Sequence, residues 1–215
     1  MHQSADVMLS VAQVVECTQA EGPGRRFAVW VQGCPLRCVG CCNPEFLPQT
    51  GGEAVRVEDL AAELARVSAA QDLEGLTLLG GEAFAQATGC AALAAAAHQL
   101  DLSVMVFSGY TLAQLRQQQD PGVQSLLAAT DILVDGPYDH TQPETHRRWI
   151  GSSNQQVHYL TDRCDPADPR WLQPNTLELR LIDGELTVNG FPAAQAKLLW
   201  RRPPSLKSGG LRMED

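Results

Sequence analysis

The stretch Gly33-Cys34-Pro35-Leu36-Arg37-Cys38-Val39-Gly40-Cys41-Cys42-Asn43 constrains this chain more than any other. It sets Cys34, Cys38 and Cys41 in a C-x3-C-x2-C spacing directly after the apolar run Phe27-Ala28-Val29-Trp30-Val31. So few residues between thiols can pack nothing of their own, but they can wrap a compact inorganic centre. Three thiolates can hold three irons of a cubane [4Fe–4S] cluster, whose usual complement is four cysteines. The missing fourth ligand leaves one iron with an open position, which marks a reactive site as opposed to a closed structural one, by the logic known for zinc. Two plainer readings compete, a redox thiol and a zinc site that uses Cys42 as fourth ligand. Structural zinc sites draw paired ligands from two segments, however, and no second C-x2-C follows here. Adjacent Cys41 and Cys42 would also have difficulty pointing at one ion.

The remaining composition sets bounds. A chain of 215 residues with 44% hydrophobic and 19% charged content suits one α/β domain with a real core. A formal net charge of −9 argues against a general nucleic-acid binder, which needs a clustered basic surface. No apolar run reaches the length of a membrane span. Met1 to Ser10 shows no basic region followed by an apolar core, so no signal peptide is expected. An odd total of 7 cysteines with a tight cluster fits a metal site in a reducing compartment better than a disulfide framework, and the expected location is cytoplasmic.

Along the chain, Leu9 to Val15 and Phe27 to Val31 read as strands separated by a turn at Glu21-Gly22-Pro23-Gly24-Arg25. Apolar residues at 57, 60, 61, 64 and 67 predict a helix, with acids in its first turn. Leu76 to Leu79 is a buried strand ending in Gly80-Gly81-Glu82-Ala83, and Thr88 to Leu100 an alanine-rich helix. Leu102 to Phe107 is a strand ending at Ser108-Gly109-Tyr110, followed by a capping box at Thr111-Leu112-Ala113-Gln114. Pro121 to Ala129 reads as a helix and Asp131 to Val134 as a strand ending at Asp135-Gly136-Pro137. Strands alternating with helices indicate βα units and a parallel sheet. The polar groups after each strand then fall on the carboxyl rim, where α/β folds build their sites.

Further on, Val157 to Thr161 is a strand, and residues 162–175 a proline-rich surface connection. Thr176 to Ile182, Asp183-Gly184 and Glu185 to Val188 form a strong hairpin pattern. A short helix is expected over 193–200 and a disordered tail over 201–215, so that residues 1–200 make a single domain with its hairpin extension at 176–190. Cys90, in the alanine-rich helix, is expected to be a small core residue. His98, His140, His146 and His158 have no ligand spacing.

The cysteine loop 33–43 resembles that of the radical S-adenosylmethionine (SAM) enzymes. Gly80-Gly81-Glu82 after a strand is by itself an ordinary turn whose glycines permit close approach of a ligand. In that family a GGE-type motif contacts the methionyl amino group of SAM. Ala83 stands where the pattern usually has proline, a departure expected to loosen the loop. Gly22-Pro23-Gly24-Arg25, Gly40-Cys41, Val134-Asp135-Gly136 and Trp149 with Gly151-Ser152-Ser153-Asn154-Gln155 look like the activating-protein group of anaerobic ribonucleoside-triphosphate reductase, among the glycyl-radical-enzyme activases. Cys42 replaces the tyrosine usual there, and the hairpin is extra.

The resemblance implies an α/β partial (β/α)6 barrel, open on one side, with the cluster at the carboxyl ends of its strands. It implies cluster ligation by Cys34, Cys38 and Cys41, with SAM chelated at the open iron and contacted by Gly80, Gly81 and Glu82. Ser108 and Asp135 are further SAM-contact candidates, from their place on the rim alone. Reduced, such a cluster cleaves SAM to methionine and a 5′-deoxyadenosyl radical that abstracts a hydrogen atom from the substrate. Two substrate classes follow. One is a glycyl radical enzyme as protein partner, with electrons from a flavodoxin- or ferredoxin-type donor. The other is a small molecule or peptide, handled as by an epimerase or synthase with Cys42 as hydrogen donor.

Overall fold

The computed structural model describes residues 6–182 and 185–191. The helix expected over 193–200, the tail from 201, and the turn residues Asp183 and Gly184 lie outside them.

The pairing begins with a long antiparallel couple, β1 (Met8–Thr18) and β2 (Arg26–Val31), joined through the glycine-rich turn. Every residue of β2 is buried, as its unbroken apolar run requires of a strand covered on both faces. From β2 the sheet continues in parallel through β4 (Gly75–Gly80), β5 (Ser103–Phe107) and β6 (Ile132–Asp135). A short β3 (Glu53–Arg56) pairs with the start of β1, and β7 (Gln156–Tyr159) returns antiparallel along β6. The order is β3-β1-β2-β4-β5-β6-β7, an open seven-stranded mixed sheet. Its parallel part has four strands where six βα units were expected. The reason is visible after β6, where residues 136–155 run as loop without a helix and deliver an antiparallel strand. β3 was not anticipated, because its exposed Glu53 and Arg56 leave only a short apolar pair to mark it.

Helices α1 (Val57–Gln71), α2 (Ala87–Gln99), α3 (Leu112–Gln117) and α4 (Pro121–Ala128) cover one face. They bury Leu60, Leu64, Cys90, Leu93 and Leu126 against Phe27, Val29, Leu76 and Val104. Cys90 is fully buried in this layer, as a small core residue should be. The Thr111–Gln114 capping box forms as read, starting α3. His98, on the face of α2, lies with Nε2 3.0 Å from the buried Asp131 carboxylate.

The other face of the sheet is filled from its amino end. Arg26 is fully buried there and donates to Thr77 Oγ1, the carbonyls of Pro23, Leu76 and Ser103, and Ser103 Oγ. A buried guanidinium is tolerated only with its donors so engaged. Above it, Trp149 and Trp171 meet edge to face at 5.1 Å between centroids and pack on Met105, Ile132 and Val134. Trp171 thus corrects the reading of 162–175 as mere surface: one turn there reaches into the core. Trp149 adopts φ +65°, rare for a bulky residue. Asn175, which accepts its N–H, and Gln19, whose carbonyl takes the indole N–H, hold it there.

The expected hairpin is present as β8 (Leu177–Ile182) and β9 (Glu185–Gly190). It docks on the end of β1. Asn189 donates to Thr18 Oγ1 and Glu21, Arg180 donates to the Cys17 carbonyl, and Glu178 accepts from Gln19 N. Thr18 is level with Arg26 at the amino end of β2, five residues from Val31 and so about 16 Å from the carboxyl rim.

Candidate iron–sulfur and ligand site

All four strand-end motifs converge. One pocket at the carboxyl rim is lined by Cys34, Cys38 and Cys41 after β2, Gly80, Gly81 and Glu82 after β4, Ser108 and Gly109 after β5, and Gly136 and Tyr138 after β6. Gln155 of the GSSNQ stretch joins them.

The cysteine loop is held in place by its own backbone and by Gln32. Gly33 and Cys34 donate to the carbonyls of Phe46 and Leu47, closing the loop on itself. The buried Gln32 amide donates to the carbonyls of Glu45, Pro48 and Thr50, so one side chain secures the returning strand of the loop. Gln86 supports the same corner by bonding Ser10 at both N–H and carbonyl and donating to the Gln32 carbonyl. Neither glutamine was singled out from sequence; the one available sign was a glutamine placed between a buried strand and Gly-Cys.

Cys34 is buried, and Cys38 and Cys41 are partly buried. Burial pushes the Cys41 thiol up, and the neighbouring Cys34 and Cys38 add to that rise against a backbone bond at Asn43 that opposes it. Three thiols lining one pocket suit a cationic metal core that would hold them as thiolates. Among the described residues, no three Cys, His, Asp or Glu side chains converge on a single point as one tetrahedral ion requires. A cubane makes a different demand, since each thiolate takes its own iron. In number and kind, three cysteines lining one pocket are the donors that three corners of a [4Fe–4S] cluster take.

The GGE motif does something the sequence did not foretell. A Cβ on Gly81 would stand 2.3 Å from the Gly33 carbonyl oxygen, and one on Gly80 2.7 Å from backbone atoms of Val31. The glycines are thus required by the close approach of β4 to the backbone that carries Cys34. Across this contact Gly81 N donates to Val31 O at 2.7 Å and Glu82 N to Gly33 O at 2.9 Å. Glu82 itself is almost fully buried and accepts from Phe84 N, Ser108 Oγ and Gly109 N. Burial pushes its carboxyl up to about 7, although those three bonds pull the other way. It ties the loops after β4 and β5 together under the pocket. Ala83 does not loosen this loop: it is buried in a 3-10 turn (Ala83–Gln86) that the Glu82 side chain caps.

Ser108 is at the pocket, with its hydroxyl donating to Glu82 and accepting from Tyr110 N. Asp135 is not brought to it. Its carboxylate accepts from Leu112 N at 2.5 Å, lies 3.0 Å from His158 Nε2, and faces a neighbouring cavity lined also by Thr111 and Arg116. Cys42 is exposed and not part of the pocket lining, though its thiol shares a hydrogen bond with the hydroxyl of Tyr138, which does line it. The loop after β6 lies against the cysteine loop, with His140 packed on Gly40. The GSSNQ stretch anchors it: Asn154 donates to Pro137 O, Ser152 Oγ accepts from Asp139 N, and Gln155 donates to Gly136 O.

Known proteins share this stretch of chain. A family model described as a 4Fe-4S single cluster domain matches residues 20–158, which contain every pocket residue named above. The anaerobic ribonucleoside-triphosphate reductase-activating protein of Vibrio cholerae is 33% identical over 147 residues, covering 65% of this chain and 91% of its own length. Its namesake from Enterobacteria phage T4 is 26% identical over 157 residues, covering 70% and 94%. The pyruvate formate-lyase 1-activating enzyme of Escherichia coli K12 is 31% identical over 144 residues, covering 66% of this chain and 56% of that longer enzyme. The chain belongs to the 4Fe-4S single cluster domain family, in its radical SAM activating-enzyme group.

Proposed function

We propose that Cys34, Cys38 and Cys41 hold a [4Fe–4S] cluster, that SAM binds across the adjoining rim, and that the product radical activates a glycyl radical enzyme. The observation that carries this reading is the meeting of three thiols, the buried Glu82 bracket and the loops after four parallel strands in one pocket. When bound and reduced, the cluster supplies the electron that splits SAM into methionine and a 5′-deoxyadenosyl radical.

The chain's own residues do the positioning. The Gly80-Gly81 contact locks the loop after β4 to Gly33, so that any ligand lying on Gly81 and Glu82 is held at a set distance from Cys34. Such pre-positioning makes electron transfer between bound groups effectively intramolecular. Glu82, buried and bonded to the loops after β4 and β5, fixes the rim on which SAM would lie. Leu36, Leu47 and Phe107 line the same pocket and exclude water from the radical. The names of the relatives point to a protein partner, and electrons would come from a flavodoxin- or ferredoxin-type donor. In this reading residues 1–200 are one radical SAM domain and the open sheet a partial barrel, whose unclosed side admits that partner. The hairpin, bound at the amino end of β1's neighbour, is remote from the chemistry.

Anaerobic incubation of the iron-loaded protein with SAM and a strong reductant tests this. Methionine and 5′-deoxyadenosine should appear in equal amounts. Full iron loading with SAM untouched would overturn the proposal.

A further inference from the structure

Polar side chains lining the pocket are nearly all committed to one another. Glu82 accepts three hydrogen bonds, the Ser108 hydroxyl gives its hydrogen to Glu82, and the Tyr138 hydroxyl is paired with Cys42. Gln155 differs. Its Oε1 accepts from Gly151 N at 3.2 Å and Ser152 N at 3.1 Å, and these two backbone donors fix the orientation of the amide. Nε2 must then face the other way, and one of its two hydrogens goes to Gly136 O at 3.1 Å. The backbone is equally restrained, because Arg147 donates to the Gln155 carbonyl at 2.8 Å. Among the described residues, no acceptor takes the second Nε2 hydrogen, and Gln155 is part of the pocket wall.

Its place along the sheet says which part of a ligand it meets. The cysteine loop leaves the end of β2, whereas Gly136, to which Gln155 is bonded, stands at the end of β6, three strands away in the order β2-β4-β5-β6. Those two strand ends are about 14 Å apart at ordinary strand spacing, although Tyr138 and His140, further along the loop, reach back to the cysteine loop. A ligand anchored at the cysteines by its amino-acid end reaches the Gly136 end with its nucleoside end, which carries ring nitrogens and ribose oxygens as acceptors. We propose that Gln155 is a SAM-binding residue, donating its remaining Nε2 hydrogen to an acceptor on the nucleoside end. The inference rests on the SAM reading of the pocket given above.

Gln155→Glu removes the free donor together with the bond to Gly136 O. It keeps an oxygen for the Gly151 and Ser152 amides and removes the N–H. It also adds a negative charge that would favour a sulfonium cation, so any weakening occurs against that attraction. Equilibrium dialysis of SAM against anaerobically reconstituted, unreduced protein is the readout, with iron per chain measured on the same sample. We expect unchanged iron and SAM binding weakened by about tenfold or more, the usual consequence of losing a hydrogen bond in a desolvated pocket. Gln155→Met, neutral and of similar size, gives the same loss of affinity and serves if the glutamate variant loads poorly. Arg147→Ala, which releases the loop without lining the pocket, should weaken binding far less. Wild-type affinity in both Gln155 variants overturns the proposal, as does an equal loss in Arg147→Ala. If the wild-type protein carries its iron and binds no SAM, the reading of the pocket fails instead.

Discussion

Replacing Gly81 by alanine tests whether the GGE motif acts through its contact with the cysteine loop. The added Cβ would lie 2.3 Å from Gly33 O, 2.7 Å from Gly33 C and 2.9 Å from Gly33 N. These are backbone atoms and cannot rotate away. Relief requires β4's end to part from Gly33, stretching the bonds Glu82 N to Gly33 O and Gly81 N to Val31 O. One lost backbone bond contributes about 1 kcal/mol, and forcing extra volume into a packed site costs about 1–3 kcal/mol. The sum, about 2–4 kcal/mol, is a large part of a domain's ordinary stability. Gly109→Ala is the internal control. Its Cβ meets the tip of the Leu36 side chain at 2.5 Å, and a leucine tip can turn aside, so it should cost less than about 1 kcal/mol. Denaturant titration gives the stabilities, and iron per chain after anaerobic reconstitution reports on the loop holding Cys34. We expect Gly81→Ala to lose both stability and iron, and Gly109→Ala to lose little of either. A Gly81→Ala protein matching wild type in both would refute a rigid contact between the two loops.

Glu21 gives a pH prediction. It is buried under the hairpin beside Asn189, and burial pushes its carboxyl from 4.5 up to about 8. The folded protein therefore keeps a proton that the unfolded chain releases between about pH 4.5 and 8, and stability falls as pH rises through that window. Glu21→Gln keeps an oxygen for Asn189 and removes the titration, so its stability relative to wild type should grow from pH 5 to pH 8 in urea titrations; a constant difference would contradict the assignment. Cys42 yields another prediction, because its exposed thiol is outside the pocket lining. Cys42→Ala should retain iron, SAM cleavage and activation of the protein partner, measured as radical yield by electron paramagnetic resonance; 5′-deoxyadenosine formed with no radical on the partner would contradict this and give Cys42 a part in the radical step.

The sequence was most legible where periodicity and chemistry coincide. The buried strands at β2, β4, β5 and β6 and the hairpin each carry a pattern of their own period and appear within a residue or two, while the helix read over 57–67 starts where expected and runs four residues further, to Gln71. The rim followed from topology, because loops after parallel strands must share an edge. What sequence could not supply was long-range pairing. β3 exists only because β1 extends past the cysteine loop to meet it, and β7 turns antiparallel because the GSSNQ side chains, not a helix, bridge the preceding loop. The same holds within the site. Gln32 and Gln86 act on backbone atoms brought close by folding, and Asp135 sits at the rim but turns its carboxylate to Leu112 and His158. A residue's position on a strand end is readable from sequence; the direction of its side chain depends on neighbours far along the chain.

The whole account depends on three sulfur atoms, and iron analysis of a triple variant addresses them directly. The wild-type protein, purified and reconstituted without oxygen, should carry about four irons per chain and consume SAM when reduced. Serine at Cys34, Cys38 and Cys41 together should leave almost no iron and abolish that consumption, with Cys17, Cys42, Cys90 and Cys164 all still present. A triple variant that keeps its iron and still cleaves SAM would contradict the account.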